Sequence, residues 1–278
     1  WHAPQSLPTM TPDGGSDASA SLQRTLSAEQ LVGWSLEHLV TLHLEDGARD
    51  RAIDVLLDGA RLPFPAEVQR ELRHRAAELA ATIAGGEPAQ MPRAIELYRA
   101  LLADGPEDLR AIARLASLYA ASGALEALTH LRRHELDLTS DQARRLQIRR
   151  ELARVLGELE NETEQVETLL ANLEEQPGHD GTLADLTTVL VSGDRWTDLA
   201  RILTEQALRL EVVPEPVRAA ALWRRVADVA STHLGDTTRA LESLRRVVAL
   251  SPTLEAYDLL ADLHLGQGQT HEAITWLE

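Results

Sequence analysis

An apolar helical period starts at Leu26 and continues to the end of the chain, interrupted repeatedly by turn formers and helix breakers. These are Asp46-Gly47, Pro63, Gly85-Gly86, Gly105-Pro106, Gly123, Pro177-Gly178, Gly193-Asp194, Pro214, Gly235-Asp236, Pro252 and Gly266. Between them lie segments such as Ala94-Ile95, Leu97-Tyr98 and Leu101-Leu102, whose spacing puts one apolar stripe on one helix face. Helices joined by short turns pack as antiparallel neighbours. The pattern predicts an all-α fold of about fourteen helices in about seven hairpins.

Boundary residues agree with this division. Ser27 with Gln30 reads as a capping box ahead of Leu31, and Ser140 stands where a cap would open the Arg-rich helix from Asp141. Pro216 suits a first helical turn, whereas Pro106, Pro177 and Pro252 forbid continuation of the helices before them. Residues 1–25 hold Pro4, Pro8, Pro12 and Gly14-Gly15 without a period able to bury a face, so they read as a flexible arm or linker. Residues 26–278 read as one helical domain, and its unfinished last helix suggests a piece of a longer protein.

Composition narrows the chemistry. Only 3% of residues are aromatic, which suits close helix packing and disfavours a β-sandwich. No Cys is present, which removes disulfides, thiolate nucleophiles and Cys-ligated metals. There is no Lys either, so all 27 basic residues are Arg and the phosphate-binding P-loop and Schiff-base chemistry are excluded. A net charge of −17 repels nucleic acid and anionic membranes. No apolar run approaches the roughly 20 residues that cross a bilayer, so direct membrane insertion is not expected. The compartment is left open, with the cytoplasm favoured over the periplasm.

One frame recurs along the chain: Leu36, Leu39, Val40, His43, Gly47 and Ala52. It returns as Ile112, Leu115, Ala116, Tyr119, Gly123 and Leu128, as Leu183, Leu186, Thr187, Leu190, Asp194 and Leu199, and as Tyr257, Leu260, Ala261, His264, Gly268 and Ala273. Successive copies start 71 to 76 residues apart, which leaves room for one more unit between each two. Those intervening units share a second frame: Ala94, Tyr98, Pro106; Gln165, Leu169, Pro177; and Ala240, Leu244, Pro252. Together the two frames resemble the tetratricopeptide repeat, with the unit from Ala94 through Pro106 to Tyr119 and Gly123 matching most closely. Gln165 and Leu199 depart from it where a small residue is expected, and His43 and His264 where a tyrosine is.

The resemblance implies a right-handed α-solenoid whose first helices line a concave groove. By it, Arg110, Arg114 and Ser117 face the groove from one hairpin, and Arg145 and Arg149 from the next. Arg144, Arg145, Arg149, Arg150 and Arg154, with Arg132 and Arg133 before them, make a positive band in an acidic chain. It can dock an acidic segment through bidentate contacts, or pair with the chain's own acids.

Other clusters carry less. His130 and His134 share a helix face but show no third ligand, so no metal is expected. His134-Glu135 and His271-Glu272 lack the second His of the metalloprotease motif. Gly14-Gly15-Ser16 lies outside any strand–helix turn that would make it a nucleophile elbow. The acids Glu158, Glu160, Glu162, Glu164 and Glu167 around Asn161 read as a solvated inter-helix turn. Trp34, Trp196, Trp223 and Trp276 read as core. The functional expectation is a non-enzymatic scaffold or adaptor, without cofactor, that binds a protein or peptide segment. Its rivals are a regulatory region of a larger enzyme and a structural subunit of an envelope or motility assembly.

Overall fold

The computed structural model describes residues 28–213 and 215–277; the arm 1–25 and the Ser27 cap lie outside them. Fourteen α-helices and no strand are present among the described residues. In chain order they are α1 (Ala28–Glu45), α2 (Arg49–Gly59), α3 (Ala66–Gly86), α4 (Met91–Asp104), α5 (Leu109–Ser122), α6 (Leu125–Leu138) and α7 (Gln142–Glu158). Then follow α8 (Glu162–Glu175), α9 (Asp180–Ser192), α10 (Trp196–Val212), α11 (Pro216–Val229), α12 (Thr237–Leu250), α13 (Leu254–Gly266) and α14 (Thr270–Leu277). The chain divides into two compact units, Trp1–Leu128 and Thr129–Glu278, with the boundary inside α6.

The four copies of the first frame each span two consecutive helices: α1–α2, α5–α6, α9–α10 and α13–α14. The second frame falls on α4, α8 and α12, the second helices of the hairpins between. At the turn position of the first frame the backbone is left-handed each time: φ is 72° at Gly47, 71° at Gly123, 53° at Asp194 and 75° at Gly268. A helix must end there, because an L-residue resists that conformation. Asp141, one residue after Ser140, is the cap of α7, accepting from Arg144 N at 2.8 Å. Both residue types cap well, and the two candidates are adjacent.

Within each unit every helix from α1 to α5, and from α7 to α14, packs on the next. Ala94 and Ala240, at the helix crossings, are fully buried, and so is Leu169. Gln165 stands where Ala94 and Ala240 do, and the facing helix makes room for it: a Cβ at Gly157 would lie 2.7 Å from Gln165 Nε2. The small residue has moved from α8 to α7.

A second signature of stacking is electrostatic. Arg75 of α3 bonds Glu37 of α1, and Arg93 of α4 spans Asp50 and Asp54 of α2 at 2.7 and 2.6 Å. In the second unit Arg150 of α7 binds both oxygens of Asp185 on α9, and Arg224 of α11 reaches Glu255 of α13 at 2.7 Å. Arg209 of α10 meets Glu174 of α8, and Arg246 of α12 meets Glu211 of α10. First helices are tied to first helices and second to second. The hydrogen-bonded pairs among these lie 35 to 43 residues apart, about one repeat. Each exposed rung contributes only about 0.2–1 kcal/mol, so burial of residues such as Leu115, Leu169 and Leu186 supplies the stability and the rungs set the register. Hairpins in series, contacts between neighbours and left-handed turn residues in register make each unit a stack of helix hairpins, the architecture of an α-solenoid.

One side chain departs from expectation. Trp34 is 39% exposed on α1, its ring tilted 32° against that of His38 with centroids 4.4 Å apart, and is not core. Trp223, in contrast, is buried, and its Nε1 donates to Glu211 at 2.6 Å. His264, at a tyrosine position, is buried with its Nδ1 2.7 Å from Gln269 Oε1.

Candidate partner-binding surface

In the first unit Arg110, Arg114 and Ser117 lie on the exposed face of α5, at helical spacing. Asp108 starts that helix: its side chain accepts from Ala111 N at 3.0 Å and from the buried His74 of α3 at 2.6 Å. Arg70 adds a contact to the same carboxylate at 3.3 Å. Burial raises the Asp108 pKa, but the Ala111 N–H, His74 and Arg70 outweigh it and hold it below the usual carboxylate range. Arg110 bonds Glu71 and Glu78 of α3 at 3.1 and 3.0 Å, and Arg114 bonds Glu78 at 2.7 Å. Burial likewise pushes Glu78 up, and Arg110 and Arg114 reverse the sign. Ser117 Oγ donates to Ala113 O of its own helix at 3.1 Å. Beside this face a cavity of about 480 Å³ is lined by Glu67, Arg70, Glu71, His74, Asp108 and Arg110, among others. Its walls hold more acid than base.

The other two candidates belong to the second unit. Arg149 is 9% exposed and turned toward α8, where it donates to Glu175 and, at 3.3 Å, to Asn172 Oδ1. Arg145 donates to Glu175 at 3.1 Å and to Thr139 O at 3.2 Å. The Arg149 hydrogen bond, followed by that of Arg145, holds the Glu175 carboxyl below its ordinary range. Asn172 is fully buried, with its Nδ2 donating to Leu146 O at 2.9 Å and to Thr182 Oγ1 at 3.2 Å. It pins α7, α8 and α9 together. The sequence signal for it was a polar residue among the apolar positions of α8, next to Leu173.

The whole arginine band is matched by the protein's own acids. Arg132 and Arg144 share Glu135 and Glu151, Arg133 bonds Glu164, Arg150 bonds Asp185, and Arg154 bonds Glu158. Part of the acidic run is absorbed in the same way: Glu162 takes Arg195 at 2.8 Å, and Asn161 caps α8 through Glu164 N. Among the described residues no group of three or more His, Asp or Glu side chains is placed to hold a metal ion. No described helix is long and apolar enough to cross a membrane.

The geometry of the second unit thus assembles one surface. The first helices α7, α9, α11 and α13 are joined in order by Arg150–Asp185, by Arg225 donating to Thr187 at 2.7 Å, and by Arg224–Glu255. Sequence reasoning did not single out Arg225 or Thr187 as a pair. A Thr at the frame position where the other copies have Val40, Ala116 and Ala261 was the available signal.

No family model matches the chain, and no curated protein sequence does. Among solved structures it is similar to a tetratricopeptide repeat protein from Parabacteroides merdae, at 15% identity over 88% of this chain and 91% of that one, with a TM-score of 0.42. It is also similar to MamA (13% identity, 58% and 84% covered, TM-score 0.35). A third is YrrB, described as a TPR protein with an unusual peptide-binding site (14% identity, 70% and 91% covered, TM-score 0.36).

Proposed function

We propose that the chain is a non-catalytic scaffold that holds a segment of another protein across the first helices of its hairpins. The observation that carries this reading is the continuous row α7, α9, α11 and α13, each tied side by side to the next. Solenoids offer such extended faces because every repeat contacts only its neighbours and contributes one strip of surface. In the first unit the same face is that of α3 and α5, where Arg110, Arg114 and Ser117 stand exposed. An acidic partner segment would exchange Glu78 for its own carboxylate on Arg110 and Arg114. Arg145 and Arg149 act in this reading from behind the surface, by setting α7 on α8. Nucleic acid is disfavoured by the net charge of −17.

Photo-crosslinking tests the reading. A photoreactive residue at Ser117 or Thr188, exposed on first helices, is compared with one at Arg201 or Arg245, exposed on second helices. Adducts with one discrete partner from the first-helix positions are expected. Equal labelling from both sets, or partner adducts from second helices alone, would refute the surface.

A further inference from the structure

Arg225 escapes the neutralisation that governs the arginines of the second unit. Among the described residues Arg225, Arg239 and Arg245 of that unit have no carboxylate within ion-pair distance. Arg239 donates to Thr204 Oγ1 and Arg245 is exposed. Arg225 is half-buried on α11, and its Nη2 donates to Thr187 Oγ1 at 2.7 Å. Thr187 donates in turn to Leu183 O at 2.6 Å, so its hydroxyl is committed as an acceptor toward the guanidinium. Burial pulls the guanidinium pKa down, and Asp180 offsets this only in part. A charge desolvated without a counter-ion is a cost that a ligand can relieve.

The surroundings specify the ligand. Arg225 borders a cavity of about 520 Å³ whose lining includes Leu244 of α12 and Leu259 and Leu263 of α13. Asp228 and Asp262 line it too, and Arg224 is already engaged with Glu255. We propose that Arg225 receives a single carboxylate of a bound protein segment, while an adjacent aliphatic side chain of that segment fills the cavity over Leu244, Leu259 and Leu263. This rests on the reading that a partner lies across the first helices. Asp228 and Asp262 repel a second acid, so the segment carries one acidic residue beside an aliphatic one and not an acidic run.

The test uses the whole chain and short acetylated peptides with a central Glu-Leu, against Gln-Leu, Glu-Ser and Glu-Asp counterparts, read by fluorescence polarisation. Glu-Leu peptides are expected to bind at least about tenfold tighter than Gln-Leu ones, the order expected for one charge-assisted hydrogen bond. Arg225→Gln erases that preference, whereas Arg245→Gln leaves it. If Arg225→Gln proves poorly helical by circular dichroism, Thr187→Val decides instead, since it removes the acceptor that orients the guanidinium without changing charge. A smaller Glu preference in that variant supports the proposal and an unchanged one overturns it. Peptide binding that keeps its Glu preference in Arg225→Gln overturns the inference and leaves the scaffold reading standing. Absence of binding by every peptide, together with absence of first-helix crosslinks, overturns both.

Discussion

Leu39 and Leu115 hold the same place in the repeat frame and the same compact unit, yet Leu39 is 45% exposed and Leu115 only 2%. The hairpin that precedes α5 covers Leu115: α4 packs on α5. Truncating a fully enclosed Leu loses its transfer free energy of about 1.5–3 kcal/mol and adds a cavity term, about 2–5 kcal/mol in total. Leu39 has nearly half of its surface in water, and its removal leaves no closed void. Its cost is the remaining transfer term, about 1 kcal/mol. Leu115→Ala is therefore expected to lower stability by about 1–4 kcal/mol more than Leu39→Ala. Urea unfolding followed by far-UV circular dichroism measures this, provided the slope with denaturant is unchanged between variants. Equal losses for the two, or a larger one at Leu39, would refute the idea that coverage by a neighbouring hairpin is what fixes a repeat position's energy.

Gly123→Ala meets no atom within 4 Å of the new Cβ, so its cost is backbone alone, about 1–2 kcal/mol for a left-handed L-residue, measured by urea unfolding. His179 caps α9 by accepting from Thr182 N at 3.1 Å on Nδ1, which requires that nitrogen unprotonated. Burial, then Arg150, lowers its pKa below 6.5. The unfolded chain binds that proton first, so stability is expected to fall as pH drops below about 6.5 toward the lower folded value. His179→Asn keeps the cap and should flatten that part of a melting-temperature profile. Glu175 contributes in the same direction at lower pH: its depressed pKa gives stability present above the ordinary carboxylate range and lost as pH falls through the folded value. Glu175→Gln should remove that acid limb and cost about 1–3 kcal/mol at neutral pH, because the buried Arg149 loses its counter-charge.

The helical layout was legible because it is periodic. Both frames land on helices, and Pro106, Pro177 and Pro252 all follow helix ends. What resisted reading was pairing over one repeat. Arg150 and Asp185, or Arg93 with Asp50 and Asp54, are ordinary charged residues until stacking places them together. The arginine band therefore left two readings open, a docking patch or pairing with the chain's own acids, and its carboxylates stand in the same unit, many of them on neighbouring helices. Buried polar pins such as Asn172, and Gln206, which accepts from Gly178 N at 2.9 Å, follow from contacts and leave only a polar interruption in an apolar stripe. Trp34 misled because side-chain size alone does not fix burial, and its indole is 39% exposed. Arg225 could not be found by composition: Arg239 and Arg245 also lack a carboxylate, and what sets Arg225 apart is the cavity it borders.

The chain has no Cys, so two introduced thiols can carry spin labels without a background. Ala184, Ala221 and Asp258 are exposed on α9, α11 and α13, one repeat apart. Pulsed electron resonance on the three doubly labelled chains should give similar backbone separations for 184–221 and 221–258, about 10 Å each, the spacing of packed helices. The 184–258 pair should lie about twice as far apart, because hairpins added in series lengthen the unit. Three equal separations would contradict a linear stack, and the account of the surface would fall with it.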